Sequence, residues 1–431
     1  MPPSPRALAA RGVRSGMSRW PVLALVTVAH GLGALSVLAV APLAPFLLDA
    51  LELSRAQVGW FLPAVYLGGV LMSLPAGWLT DRLGVRATLG LGQLVIGLGV
   101  ILAALGATLP ACLVALVFAG FGFSVLNPST GKAVLEWFPA RRRGVAMGIK
   151  QTGLTLGGLA GALSLPPLAL AFGWRYALGA AGAFSLVAAV IVALVYRSPT
   201  VTMVSGPAAP RPRLGELGVF LRRPGVLVVF ASGFALSIAQ SSVLAYLALY
   251  TRETYAVSAV AAGQFLALAQ VGGTASRLAW GAISDRLFGG RRRPGVVINA
   301  LMASGAYAGL ALGTWLPTPL VIPLAVLAGA GAFGWVGLYF ALVAEIGGAR
   351  YAGLLTGVAV AFAWSGVLVG PPGFGLLLET TGAYTVPWLV LAAISLAVAA
   401  TLPRPRPLVQ RDERPMAPDT GSATPLTRAA E

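Results

Sequence analysis

Twelve apolar stretches of about 20 residues or more recur along this chain of 431 residues, and they constrain its fold more than any other feature. A helix of that length matches the hydrocarbon core of a bilayer, because it rises about 1.5 Å per residue and satisfies its own backbone hydrogen bonds. We therefore predict an all-α membrane protein with twelve transmembrane helices. The predicted spans, numbered 1 to 12, cover residues 20–48, 56–79, 87–107, 110–137, 144–172, 176–196, 225–251, 257–283, 295–314, 317–346, 351–379 and 383–403.

The composition excludes the competing classes of protein. Hydrophobic residues make up 57% of the chain and charged residues only 10%, whereas soluble domains carry about 25% charged residues. A soluble protein of this composition would lack the polar groups to cover its surface, and a disordered chain would be far more polar. The lipid bilayer is therefore the solvent that this chain fits.

Cysteine and histidine are too scarce for several kinds of chemistry. Cys112 and His30 are the only residues of their types. This count excludes a disulfide framework and metal sites built from several cysteines or histidines. It also argues against a membrane-embedded enzyme, which would need clustered nucleophiles, bases or metal ligands. We expect no enzyme activity, no metal and no cofactor.

The distribution of Arg and Lys predicts the topology. If the N-terminus is cytoplasmic, 24 of the 30 basic residues fall in cytoplasmic segments and three, Arg55, Arg175 and Arg252, on the opposite side. This asymmetry is the positive-inside pattern. It explains the net charge of +17 through contact with anionic lipid and without a nucleic-acid partner. We expect a multi-pass protein of a prokaryotic inner (plasma) membrane, monomeric, with both termini cytoplasmic.

Two sequence patterns repeat in the second half of the chain. Gly77-Trp-Leu-Thr-Asp-Arg-Leu-Gly-Val-Arg86 follows span 2, and Gly281-Ala-Ile-Ser-Asp-Arg-Leu287 follows span 8, 204 residues later. Glu136 and Glu345, 209 residues apart, precede glycines at the same spacing. A duplication of six spans is typical of transporters. We predict an N-tail (1–19), a first six-helix bundle (20–197), a linker (198–224), a second bundle (225–403) and a disordered C-tail (404–431).

The motif from Gly77 to Arg86 resembles the signature loop of the major facilitator superfamily. The repeat from Gly281 to Leu287 and the layout of six plus six spans belong to the same resemblance. It covers the whole chain except the tails. It implies two pseudo-symmetric six-helix bundles that rock about a central substrate site. It also implies a cytoplasmic gate in which Asp81 and Asp285 lie near helix N-termini of the other half. The candidate gating residues are Asp81, Arg82, Arg86, Glu136, Asp285, Arg286, Glu345 and Arg350.

Charged residues inside the spans indicate the kind of substrate. Lys150 and Arg277 lie well inside spans 5 and 8 without an acid nearby on the same helix, and His30 lies near the middle of span 1. Charge at such depth is costly and calls for a functional reason. No acid falls at the centre of a span, whereas a cation carrier would need one. We therefore expect an anionic substrate, with protons as a further partner because histidine titrates near neutral pH.

Residues around Arg277 narrow the resemblance. Arg277-Leu-Ala-Trp-Gly281 resembles the span-8 motif of monocarboxylate and oxalate-type carriers, whose arginine binds the substrate carboxylate. This implies a secondary transporter of small organic anions, working by proton symport or anion exchange. An inorganic-anion carrier, similar to nitrate/nitrite carriers, and a proton-coupled multidrug exporter are the alternatives. The candidate substrate-binding residues are Arg277, Lys150, Gln151, His30, Asn127, Tyr246, Tyr339 and Trp364.

The topology is testable by cysteine labelling. Cysteines introduced at Gly16 and Thr427 should not react with a membrane-impermeant reagent in intact cells, because both tails are predicted to be cytoplasmic. They should react once the membrane is permeabilised, which serves as the control. Efficient labelling of either position in intact cells would contradict the predicted orientation.

Overall fold

The computed structural model describes residues 18–199 and 224–403, apart from the side chains of 74, 140, 141, 224, 348–350, 352 and 353. These ranges form helices and no strand. The predicted N-tail up to residue 17, most of the linker and the C-tail lie outside the described residues. In chain order the helices are Arg19–Leu38 and Val40–Ala50 (span 1), Arg55–Val58 and the start of Phe61–Leu105 (span 2), the remainder of Phe61–Leu105 (span 3), Leu109–Ser124 and Leu126–Trp137 (span 4), Ala140–Phe172 (span 5), Trp174–Val195 (span 6), Pro224–Tyr255 (span 7), Ala259–Leu287 (span 8), Arg292–Ala311 (span 9), Thr318–Thr381 (spans 10 and 11) and Thr385–Thr401 (span 12).

All twelve predicted spans are helical. Within the described ranges, ten helical segments are long and apolar enough to cross a membrane. Span 8 is long enough but more polar, because it carries Gln264, Gln270, Thr274 and Arg277. Span 12 has 17 residues, at the short end of the usual range. The prediction of an all-helical membrane protein with twelve helices is confirmed.

The signature loop between spans 2 and 3 reverses the chain at a glycine. Gly84 has φ 76° and ψ 170°, a conformation that a side chain would strain, within the otherwise helical segment Phe61–Leu105. This is the glycine of the Asp-Arg-Leu-Gly motif. The repeated motif therefore marks the point where the chain turns back into the membrane.

Spans 10 and 11 lie within one segment, Thr318–Thr381. A straight helix of its 64 residues would be about 96 Å long, three times the thickness of the hydrocarbon core. The segment instead supplies two membrane-crossing parts, Thr318–Gly347 and Leu354–Thr381. Buried residues of both parts, including Tyr339 and Ala359, join one hydrophobic cluster in the second half of the chain.

Close backbone contacts at glycines hold the spans of each half together. A Cβ atom on Gly68 (span 2) would overlap the backbone of Val117 (span 4), and one on Gly120 would overlap that of Val65. Spans 1 and 5 meet in the same way, since a Cβ on Gly157 would overlap Gly31. Small residues allow such close approach between membrane helices.

The same contacts recur in the second half at the offsets of the sequence repeat. A Cβ atom on Gly272 would overlap the backbone of Val326, as one on Gly68 would overlap that of Val117. Gly272 lies 204 residues after Gly68, and Val326 lies 209 residues after Val117. Gly366 of span 11, 209 residues after Gly157, approaches the backbone of Phe234 in span 7. The duplication therefore extends from the loop motifs to the helix contacts, and the two halves are pseudo-symmetric.

The two halves are joined by ion pairs at one end of the molecule, which we call the outer end after the predicted topology. Arg252 of span 7 pairs with Asp49 of span 1 at 2.7 Å, and Arg55 of span 2 pairs with Glu253 of span 7 at 2.9 Å. The Tyr246 hydroxyl donates a hydrogen bond to the carbonyl of Arg55 at 2.8 Å. These contacts close the outer end.

Glu379, at the end of span 11, adds a third carboxylate to this closure. It accepts hydrogen bonds from the Ser54 hydroxyl at 3.1 Å and from the backbone N–H of Ala56 at 3.3 Å. Ser54 and Gln57 form a capping box at the start of the helix Arg55–Val58. A negative charge from the second half thus lies at the positive end of a helix in the first half, where it is favourable.

At the opposite, inner end the ion pairs of the described residues stay within one half. Lys132 pairs with Asp81 at 3.3 Å, and Arg292 pairs with both Asp285 and Glu345, at 2.7 and 3.3 Å. The ion-pair partners of Asp81 and Asp285 thus come from their own half, and the place of both acids near helix N-termini of the other half stays a prediction.

We predict that the outer ion pairs hold the outer end closed. Spin labels at Ala107 and Ala383, exposed in outer loops of the first and second half, would report the separation. Replacing Arg55 and Arg252 together by Gln should add a longer-distance component, because both cross-half ion pairs are lost. Arg175→Gln is the matched control, since Arg175 contacts only Gly106 and Trp174 of its own half. An unchanged distance distribution in the double variant would contradict the prediction.

Candidate functional site

Lys150 is a buried cation of span 5. Its side chain is 3% exposed, and its Nζ donates a hydrogen bond to Oδ1 of Asn127 in span 4 at 2.9 Å. It lies ten residues after the helix start at Ala140, about 15 Å along the axis. No carboxylate of the described residues forms an ion pair with it. The amide of Asn127 replaces part of the lost hydration but leaves the positive charge uncompensated.

Arg277 is the corresponding cation of the second half. Its Nε donates a hydrogen bond to the carbonyl of Phe333 in span 10 at 3.0 Å, and its Cζ lies 5.8 Å from the centroid of that ring. Among the described residues it has no acidic partner, and its two terminal amino groups have no hydrogen-bond partner. These two groups form the edge of the guanidinium that binds a carboxylate through parallel hydrogen bonds.

His30 of span 1 completes a cluster with the two cations. It is 1% exposed, and neither ring nitrogen has a hydrogen-bond partner among the described residues. Lys150 and Arg277 are both close enough for their positive charges to act on its ring. We call His30, Asn127, Lys150 and Arg277 the central cluster. Its members come from spans 1, 4, 5 and 8, so that both halves contribute to it.

An aromatic contact between the halves lies beside this cluster. Tyr66 of span 2 and Trp364 of span 11 meet edge to face, with ring centroids 5.7 Å apart. Tyr66 is also within electrostatic range of Arg277. Trp364 is among the predicted residues, whereas Tyr66 is not. Its one sequence signal is a tyrosine in the middle of an apolar span, which does not distinguish it from a packing residue.

Three other predicted binding residues lie outside these contacts. Gln151 is exposed on span 5. Tyr246 is buried in the outer closure, where it stacks on Phe374 at 4.6 Å. Tyr339 is buried within the second half against Trp335, and its hydroxyl has no partner among the described residues. The structure therefore brings together four of the eight predicted binding residues, His30, Asn127, Lys150 and Arg277, in the central cluster. A fifth, Trp364, contacts Tyr66, which interacts electrostatically with Arg277.

The remaining predicted gating residues lie at the inner end. Arg82 stacks over the Trp78 ring at 5.2 Å, and Arg86 donates hydrogen bonds to the carbonyl of Ala193. Glu136 accepts a hydrogen bond from the Tyr196 hydroxyl at 3.4 Å, and Arg286 is exposed. The side chain of Arg350 lies outside the described residues. In this outward-closed structure, the hydrogen bonds, ion pairs and ring contacts given for the described members of the set all lie within one half.

The central cluster is suited to binding an anion. It offers two cations from opposite halves, one amide and an imidazole with free nitrogens, and it contains no acid. Within the described ranges, no group of three or more His, Cys, Asp or Glu residues could hold a metal ion. The chemistry available is therefore charge-assisted hydrogen bonding to an oxyanion.

Comparisons with known proteins agree with this architecture. The sequence profile of the Major Facilitator Superfamily matches residues 25–371. The chain is 31% identical to monocarboxylate transporter 11 of Mus musculus over 406 residues, which cover 90% of this chain and 88% of that protein. It is 24% identical to the hexuronate transporter of Bacillus subtilis over 395 residues, 89% of this chain and 93% of that protein.

A solved structure has the same fold. A bacterial homologue of the human lysosomal transporter Spinster, in an inward-facing and unoccupied conformation, superposes with a TM-score of 0.73. The match covers 91% of this chain and 95% of that one, at 17% identity. The family and these relatives are transporters, which confirms the expectation that the chain is not an enzyme.

We predict that the uncompensated charge of Lys150 lowers stability. Lys150→Met removes the charge, keeps most of the volume and should raise the Tm of the ligand-free protein by about 2–4 °C. Lys132→Met is the matched control, because the Lys132 amine is paired with Asp81 and this variant should show no gain. Thermal unfolding in detergent measures both. A Tm of Lys150→Met at or below that of the unsubstituted protein would contradict the prediction.

Proposed function

The chain belongs to the Major Facilitator Superfamily, and we propose that it carries a small organic anion across the membrane by alternating access between its two halves. The observation that carries this proposal is the pair Lys150 and Arg277. These two cations come from opposite halves, lie about 15 Å inside their helices and have no carboxylate partner among the described residues. An anion that arrives as substrate would supply the missing counter-charge.

Alternating access gives a reason for placing one cation on each half. A bound anion would attract Lys150 and Arg277 at the same time and so would favour states in which the halves enclose it. A ligand shifts a conformational equilibrium only through its different affinity for the two states. Two cations that approach one anion from opposite sides provide such a difference. His30, within range of both, is the residue we propose for proton coupling; anion exchange is the other mode of coupling.

The names of the relatives support an organic anion. Hexuronates and monocarboxylates both carry a carboxylate, which fits the free edge of a guanidinium. We assign the carboxylate to Arg277 and a longer-range attraction to Lys150. The two six-helix units are proposed as residues 20–197 and 225–403, joined by a cytoplasmic linker. Both termini are proposed to be cytoplasmic, in a prokaryotic inner membrane.

We predict that Arg277 dominates anion binding. Arg277→Ala should abolish the binding of lactate and oxalate, with a loss of about 2–5 kcal/mol if the contact is desolvated. Arg277→Lys should weaken binding despite keeping the charge, because lysine lacks the planar fork. Lys150→Ala should weaken it less than Arg277→Ala. Isothermal titration of purified, monodisperse protein measures the affinities.

Arg197→Ala is the matched control for this experiment. Arg197 is exposed, lies outside the central cluster and the candidate gating residues, and should not affect affinity. If Arg277→Ala binds lactate and oxalate as tightly as the unsubstituted protein, the proposed site is wrong. Binding of nitrate alone would favour the inorganic-anion alternative, and binding of a lipophilic cation would favour the drug exporter.

A further inference from the structure

Tyr66 and Trp364 lie on two helices that cross between the halves. Span 2 and span 11 first meet at the outer closure, where a Cβ atom on Gly59 would overlap the backbone of Pro371. Tyr66 lies seven residues after Gly59, and Trp364 lies seven residues before Pro371. At about 1.5 Å per residue, their contact is about 10 Å inside the outer closure.

The packing of Trp364 depends on a glycine of span 2. A Cβ atom on Gly69 would come within 3.0 Å of Cζ3 of Trp364, so that the indole lies directly on the helix backbone. Tyr66, one helical turn earlier, contacts the same indole at 5.7 Å and Phe123 of span 4 at 5.8 Å. Rings from both halves therefore form one apolar surface.

One ring of this surface, that of Tyr66, lies close enough to the proposed anion site to interact electrostatically with Arg277. The Phe333 ring lies 5.8 Å from the Arg277 Cζ atom. Tyr66 and Trp364 are both half-buried, so each ring keeps accessible surface. An anion held by Arg277 could place part of its body against these rings, on the side away from Lys150 and Asn127.

The chemistry of these rings discriminates between kinds of organic anion. The hydroxyl groups of a sugar acid that face these aromatic rings would lose hydration without gaining partners from them. An apolar or planar body would bury its surface there and stack on the rings. An inorganic anion has no body to contact them. The rings therefore favour one class of carboxylate over the other two classes of anion.

We propose that Tyr66 and Trp364 determine specificity, and that the substrate is a monocarboxylate with an apolar or aromatic body rather than a hexuronate or an inorganic anion. This inference rests on the proposed function, since it assumes that Arg277 binds the carboxylate. Because one ring belongs to each half, the body of the bound anion contacts both halves, as its charge does.

Three anions of equal charge and different bodies test the proposal: benzoate, glucuronate and nitrate, titrated into the purified protein. The unsubstituted protein should bind benzoate most tightly. Trp364→Leu and Tyr66→Leu should each weaken benzoate binding about five- to tenfold and leave the other two affinities unchanged, since only benzoate stacks on the rings. Tyr66→Phe keeps the ring and should bind benzoate like the unsubstituted protein.

Trp315→Leu is the matched control, because Trp315 is 90% exposed at the outer end and should not affect any affinity. If Trp364→Leu weakened the binding of all three anions equally, the rings would have only a structural role. If the unsubstituted protein bound glucuronate more tightly than benzoate, the proposed substrate class would be wrong. Either result overturns this inference and leaves the proposed anion carrier standing. If none of the three anions binds while lactate or oxalate does, this inference fails and the proposed function stands; if lactate and oxalate do not bind either, both proposals fail.

Discussion

Close approach of helix backbones at glycines is the constraint on which this structure depends. Lipid tails are as apolar as leucine side chains, so that the hydrophobic effect does little to hold one membrane helix against another. Packing contacts have to do so, and they are strongest where no side chain separates the backbones. Gly68 and Gly120 provide this between spans 2 and 4, and Gly272 and Gly329 provide it between spans 8 and 10. These contacts set where each span lies, and with it every residue of the central cluster.

The central cluster lowers the stability of the fold, because the two cations that would bind an anion have no acidic partner among the described residues. Lys150 and Arg277 contribute positive charge to the membrane interior, and a neutral amide and a backbone carbonyl are their hydrogen-bond partners. A structure optimised for stability alone would pair these charges or replace them. Both cations lack an acidic partner among the described residues, which fits the proposal that an anionic substrate is bound tightly enough to be carried and weakly enough to be released.

The contacts that close the outer end are of a kind that breaks readily. The side chains of Asp49 and Arg55 are 57% and 46% exposed, and ion pairs at such sites contribute about 0–1 kcal/mol each. Several of them together favour one state without making it irreversible. At the inner end Asp81 and Asp285 are paired within their own halves, and no ion pair between described residues joins the two halves there.

Much of the fold could be predicted from the sequence because the bilayer imposes a single solution on long apolar segments. Twelve helices, the reversal at the signature motif and the duplication all follow from residue type and spacing, which act locally or by repetition. The depth of Lys150 and Arg277 follows too, since helical rise converts residue number into distance. Span 8 is predicted despite its polar residues, of which Arg277 belongs to the central cluster.

Only the tertiary structure decided which residues meet and which end is closed. The pairing of Lys132 with Asp81, the closure by Arg55, Arg252 and Glu379, and the contact of Tyr66 with Trp364 all join residues far apart in the chain. Sequence spacing places a side chain on its own helix, but it does not fix the rotation of that helix against its neighbours. The state of a transporter is less accessible still, because one sequence encodes both states, and weak exposed contacts at the two ends determine which is populated.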